Sequence, residues 1–575
     1  MHMLNTFFGQ LPEAVMSSSP IRKRLELAKV RARSYPMDSM DFVLNDLEQP
    51  ASIRRHADFC TGDLTGRYLE MLARSEVHDS GDRDRMDELF RRIMKCQSKE
   101  GPFGLPYTQS NGYSQKDRVF GIGYKVFPGL LRYFMLTGDS KALYAAKKNA
   151  EFFFDNIDFV KATFQKHREE KTFNMYFWIT EPFALLYSVT GDPRCIDVCR
   201  IVAESLPESI SGCHTHGLMT ALRGLQLACL YTGDLRFNEP VERMIAEIAR
   251  DSVWADGNIP EVFPMSERNE GCSIADWVML NLYSGLITGN AEAYERAELA
   301  FYNALALNQI VNGGFGCRYL KADRRGYQQG VLHEECWWCC LYTGANAIVE
   351  YAGHSVTIVE KKIHVNLFVP GKYIFDRNDS RITVEVVSAY PEKADAVVMV
   401  DGMPQDMEVE IRIPSFVRNA TVSCDELPGN RRRYVFTGDL GYYIEDLDDG
   451  QVLKYGPLIM APLRYVSDEK QSYLKYSKDS VPEGYIPPIM PKDYPSIVPS
   501  PTKDKAGFLL YDKEPWPIWQ CFEEGVLSPL AYGELSVNVP LFYPDGGVRL
   551  VRFYPELNST TTLIGLDLPI VFDKG

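Results

Sequence analysis

No stretch of eighteen or more apolar residues occurs in this 575-residue chain, so no segment has the length to cross a bilayer as a helix. The opening MHMLNTFFGQLPEAVMSSSP has neither a basic start nor a continuous apolar run, and is not expected to act as a secretory signal. Basic residues are outnumbered, with 62 Lys and Arg against 77 Asp and Glu, a net charge of −15. Neither nucleic acid nor an anionic membrane surface gains from counterion release against such a chain, so neither is an expected partner. Histidine is scarce, at nine residues, so two in one short phrase stand out. A disulfide framework is missing as well. Thirteen cysteines, an odd number, are scattered without regular spacing. In a chain with an ample core that predicts reduced thiols in a cytoplasmic compartment. Cys60, Cys96, Cys195, Cys199, Cys229, Cys424 and Cys521 read as small core hydrophobes.

What is present is ordinary in bulk, with 45% hydrophobic and 24% charged residues. The length divides into about two to four domains. A degenerate phrase recurs in the first half: LLRYFMLTGDSKAL (130–143), LLYSVTGDPRCI (185–196), LACLYTGDLRFN (227–238) and LYSGLITGNAEAY (282–294). Each is an apolar helix ending in Thr-Gly-Asp or Thr-Gly-Asn. The glycine suits a left-handed helix end, and the Asp or Asn caps the helix that follows. Gly138, Gly191, Gly233 and Gly289 are 53, 42 and 56 residues apart, the length of a helical hairpin. About six hairpins fit between DLTGRYLEMLA (63–73) and LYTGANAIVEYAG (341–353), which favours an α/α barrel over an open superhelix.

From about residue 356 the apolar pattern changes to period two, as in SVTIVEKKIHVNLFVPG and ITVEVVSAY. The expected organisation is a helical barrel over 1–355, a β-sandwich domain over 356–466, a connector over 467–505 and a β-rich domain over 506–575. Seven prolines between 482 and 501 mark the connector.

Chemistry concentrates in Glu270-Gly271-Cys272 and Cys339-Cys340. Three sulfurs and a carboxylate form a soft donor set of the kind Zn²⁺ favours. Both groups precede apolar helices, so two helix N-termini facing one pocket would bring them together. A helix dipole there lowers thiol pKa values. The plain alternative is three core cysteines and a surface glutamate.

These residues, with DLTGR (63–67), HTHGLMTALRG (214–224), EIRIPSF (410–416) and YGPLIMAP (455–462), resemble glycoside hydrolase family 127. That family and its relative, family 146, contain β-L-arabinofuranosidases. The resemblance implies an (α/α)6 barrel followed by β-sandwich domains, and a retaining hydrolase that uses a zinc-bound cysteine as nucleophile. Glu270, Cys272, Cys339 and Cys340 match the zinc ligands, and Cys339 matches the nucleophile. Glu261 is the candidate general acid, with Glu334 and Glu335 as rivals. His214 and His216 fall where the family places a sugar-contacting histidine. Trp338, beside Trp337, either floors a sugar site or packs between helices.

Two departures bear on the sugar. Tyr124 stands where the family has histidine, and NMYFWITEPFALL (174–186) has none. The expected ligand is a small carbohydrate or oligosaccharide, and a homodimer is compatible with the sequence. Two other classes stay open: a carbohydrate-binding protein braced by zinc, and a metal-free epimerase or lyase on the same barrel.

Overall fold

The computed structural model describes residues 6–34, 37–48, 62–78, 80–103, 119–120, 125–173, 175–309, 313–320, 324, 326–332, 339–377, 380–448, 450–462, 499–503, 509–511, 535, 537–542, 548–556 and 568–570. Six helices form a closed inner ring: α1 (Asp63–Ser75), α2 (Val126–Thr137), α3 (Thr180–Thr190), α4 (Thr215–Thr232), α5 (Gly271–Thr288) and α6 (Cys339–Gly353). Each packs on the next, and α6 returns to α1. Outside them lie Arg83–Lys95, Ser140–Asp155, Pro193–Ala203, Glu239–Asp251 and Ala291–Ala300, against α1 to α5 in turn. Pro20–Ala32 covers α6. This is the (α/α)6 barrel that the repeat predicts.

Burial follows position in the ring. Residues 215–231 of α4 and 271–287 of α5 are buried throughout, as expected of helices surrounded on all sides. The outer Glu239–Asp251 helix buries only Val241, Met244, Ile245 and Ile248, one apolar stripe. Glycines set how closely inner helices approach. A Cβ at Gly66 would lie 2.1 Å from the Lys125 carbonyl carbon, and one at Gly224 would lie 2.1 Å from Thr180 Oγ1. Those two glycines therefore fix the α1/α2 and α3/α4 crossings.

The Thr-Gly-Asp phrases are the turns at the C-terminal ends of α2, α3, α4 and α5. Gly138, Gly191, Gly233 and Gly289 adopt φ of 73, 68, 73 and 69°. Asp139, Asp192, Asp234 and Asn290 each accept a backbone N–H two residues on, at 2.9 to 3.1 Å. The threonine hydroxyl accepts the N–H of that Asp or Asn, and it donates back into the last turn of its own helix.

Beyond α6 the described residues are mainly in strands. A six-stranded sheet runs Glu13–Met16, Gly371–Arg377, Ser380–Ser388, Ala394–Asp401, Arg431–Asp439, Arg418–Leu427 in space. Its first strand comes from ahead of the barrel. A five-stranded sheet joins Tyr442–Leu447, Gly450–Tyr455 and Leu458–Pro462 to Val548–Pro555 and Val537–Phe542, drawing on both sides of the proline-rich stretch. Barrel and first sheet share one apolar core. Phe301 stacks on Tyr351 of α6 with ring centroids 3.8 Å apart, Tyr302 meets Tyr390, and Phe368 stacks on Phe436. Of the cysteines read as core, Cys195, Cys199 and Cys229 are buried, Cys96 is half-buried and Cys424 is exposed on a sheet strand. Cys60 and Cys521 lie outside the described residues. Among the described residues, no helix is long and apolar enough to cross a membrane.

Candidate active site

The first residues of α5 and α6 meet at one end of the barrel. Glu270 is the extended residue just before α5, and Cys272 is in its first turn. Cys339 and Cys340 open α6. Their four donor atoms all lie within 4.8 Å of one another. Cys272 and Cys340 sulfurs are 3.7 Å apart, and Cys339 Sγ is 3.6 Å from Glu270 Oε1. All four residues are buried. Both vicinal cysteines lie in the first turn of α6, opposite the first turn of α5. One turn on, Thr343 donates to the Cys339 carbonyl at 2.9 Å and meets Cys272 Sγ at 3.5 Å.

Burial and the charge of Glu261 push the Glu270 carboxyl up to about 7. Burial and the neighbouring thiols push Cys340 well above its ordinary value. Groups so placed keep their protons unless a cation compensates. Three sulfurs and one carboxylate suit a tetrahedral, borderline-soft divalent ion, and the residues present fit one.

A second group stands beside the first. His214, Glu261 and Glu270 have ligating atoms within 4.8 Å of one another. The His214 side chain is 30% exposed and the Glu261 side chain 18%, whereas Glu270 is nearly covered, so His214 and Glu261 form the mouth of the site. His214 Nδ1 accepts from Gly217 N at 3.3 Å, capping α4, and Nε2 lies 3.9 Å from Glu270 Oε2. Arg268 clamps both oxygens of Glu261, one at 2.8 Å.

His216 lies deeper. Arg67 Nη2 is 3.1 Å from its Nε2, and Nδ1 faces Asp276. An arginine can only donate, so Nε2 accepts, the proton sits on Nδ1 and the ring is neutral. Burial acts the same way, lowering its pKa to about 4. Behind it, Arg223 bridges Asp276 and Glu181, and Lys125 lies 3.9 Å from Glu181. Both stretches that lack the expected histidine thus contribute to the lumen, through Lys125 and Glu181.

Sequence reasoning singled out the four donors, Glu261 and the two histidines. It missed Arg67, Lys125, Glu181, Arg223 and Asp276, although lone charges within apolar helices are a readable signal, because buried charges require partners. It also missed Cys317, whose thiol touches Cys340, and the Cys336-x-x-Cys339 spacing. Cys336, Glu334, Glu335, Trp337 and Trp338 lie outside the described residues.

Solved structures share the whole architecture. A GH127 β-arabinofuranosidase aligns at a TM-score of 0.64 with 12% identity, covering 99% of this chain and 98% of its own. A GH127 β-L-arabinofuranosidase from Geobacillus stearothermophilus T6 aligns at 0.67 with 11% identity, covering 98% and 100%. A glycoside hydrolase aligns at 0.62 with 14% identity, covering 99% and 97%. No curated protein sequence matches the chain. Residues 13–353 match the family described as β-L-arabinofuranosidase, GH127 catalytic domain. That span is more than half of the chain and holds every donor and lumen residue described above, so the protein belongs to this family of glycoside hydrolases.

Proposed function

We propose that the protein is a zinc-dependent retaining glycosidase acting on a furanoside or a similarly uncommon sugar, with Cys339 as nucleophile and Glu261 as acid and base. The observation that carries this reading is a buried Cys3Glu donor set, one sulfur of which belongs to the first residue of a helix, beside a partly exposed glutamate and histidine. Glu270, Cys272, Cys339 and Cys340 would hold the ion, which supplies the positive charge that keeps buried thiols ionised at neutral pH.

In the first step the Cys339 sulfur bonds to the anomeric carbon, the glycosidic C–O bond breaks and Glu261 gives its proton to the leaving oxygen. In the second, water replaces sulfur at that carbon and Glu261 takes the water's proton. Two displacements retain the anomeric configuration. Arg268 orients the Glu261 carboxyl between the two steps. The hydrogen bond from Thr343 to the Cys339 carbonyl fixes the nucleophile's backbone. His214 at the mouth would offer its Nε2 toward sugar hydroxyls, while both ring nitrogens of the neutral His216 behind it are held by Arg67 and Asp276.

Two measurements test the reading. Elemental analysis of the purified protein is expected to find one zinc per chain. A panel of aryl furanosides and pyranosides is expected to find at least one substrate, with Cys339→Ser inactive but folded. A metal-free protein with undiminished hydrolysis would overturn the mechanism. A zinc-loaded protein inert on every glycoside would point to carbohydrate binding without hydrolysis.

A further inference from the structure

Cys317 stands outside the four-donor group, yet its thiol hydrogen-bonds to that of Cys340, which also meets Cys272 and Cys339. It is fully buried and opens the Cys317–Leu320 strand. That strand is fixed against the loop carrying Glu270. Gly271 N donates to Gly316 O at 3.0 Å, Asn269 N donates to Arg318 O at 2.9 Å, and Arg318 N donates to Asn269 Oδ1 at 2.7 Å. Asn308 holds both backbone groups of Gly316, at 2.7 and 3.0 Å. A Cβ at Gly271 would lie 2.7 Å from Asn308 Oδ1 and 3.2 Å from Cys340 Cβ. The glycine therefore lets the start of α5 close on both Gly316 and the start of α6.

A fifth sulfur on so firmly held a strand has a use, which rests on the mechanism proposed above. Once Cys339 is bonded to sugar, its sulfur is a neutral thioether and a poor partner for a divalent cation. The centre would be left with two thiolates and a carboxylate. We propose that Cys317 is a reserve sulfur donor, hydrogen-bonded to Cys340 at rest and entering the donor set whenever Cys339 is alkylated or removed. On entry Cys317 loses its S–H proton to solvent, and it regains one when Cys339 is freed. No electrons change hands.

Cobalt(II) titration of the full-length protein tests this, read by sulfur-to-cobalt charge-transfer absorbance and by affinity in competition with a chelator. Cys339→Ala is expected to keep the wild-type intensity and to lose less than about tenfold in affinity. Cys317→Ala/Cys339→Ala is expected to lose about a third of the intensity, as three thiolates become two, and about a further 100-fold in affinity. Cys336→Ala/Cys339→Ala controls for the other thiol near in sequence and is expected to keep full intensity. Cys317→Ser, with circular dichroism on every variant, separates lost coordination from lost folding. If Cys339→Ala alone loses that third and removing Cys317 adds nothing, the proposal is overturned. It is equally overturned if the Cys336 double variant loses the band instead. A wild-type protein without any charge-transfer band would refute the metal centre itself, a distinct result.

Discussion

At the C-terminal ends of the inner helices, four successive turns are near copies of one another. At the N-terminal ends, the connections into α4, α5 and α6 share no motif. The turn end satisfies its own polar groups within each turn: the threonine hydroxyl, the left-handed glycine and the capping carboxylate or amide leave little for the rest of the protein to supply. The site end does the reverse. Glu270, Cys272, Cys339 and Cys340 come from two helices about seventy residues apart in sequence, and none of them has its chemistry without the others. Stability is stored locally at one end and functional geometry globally at the other.

That contrast can be broken by substitution. The largest effect is expected from Cys339→Ser, which should lower kcat by about 10⁴ or more while the melting temperature changes little, measured on whichever aryl glycoside the wild type cleaves. Glu261→Gln should follow, with a loss of about 10² to 10⁴ in kcat, least for substrates with good leaving groups because they need no proton. A leaving-group series that shows no such dependence would remove Glu261 from the acid's role.

The lumen between the two ends should show itself in acid. Burial pushes Glu181 up, but Arg223 and Lys125 outweigh it and hold it down at about 2. Its contribution to stability is present above the ordinary glutamate range and is lost as pH falls toward about 2. His216, kept neutral with its pKa lowered to about 4, works in the same direction, because the unfolded chain takes up that proton first as pH drops below 6.5. Urea unfolding should therefore give free energies that fall steadily from pH 6.5 downward. A flat profile over that range would contradict the described packing.

The smallest effects belong to the turn end. Gly289→Ala places a Cβ in a left-handed residue with nothing within 4 Å of it, so the cost is conformational alone, about 1–2 kcal/mol, with kcat unchanged. Asp192→Ala should cost about 1 kcal/mol through the lost cap. If either substitution altered kcat, the two ends would not be independent.

The turn repeats made the barrel legible, because each carries its structural reason within three residues. The four donors were legible for another cause: sulfur and carboxylate at two helix starts are rare enough to notice. Asp276 and Arg223 escaped notice because their partners lie on different helices, and only the closed ring brings them face to face. Cys317 carries no local signal, because only the folded chain sets its strand against the loop of Glu270. The pairing of Glu13–Met16 with Gly371–Arg377 joins segments more than 350 residues apart, which no local pattern announces.

The shared aromatic core has a practical consequence for anyone trimming this enzyme. A chain cut at Gly353, where the family match ends, would keep Phe301, Tyr302 and Tyr351 but lose Tyr390, Phe368 and Phe436. It would also leave Glu13–Met16 as an unpaired strand. Such a fragment contains every group proposed to act in catalysis, yet it is expected to aggregate on expression. Homology and autonomy have different borders in this molecule.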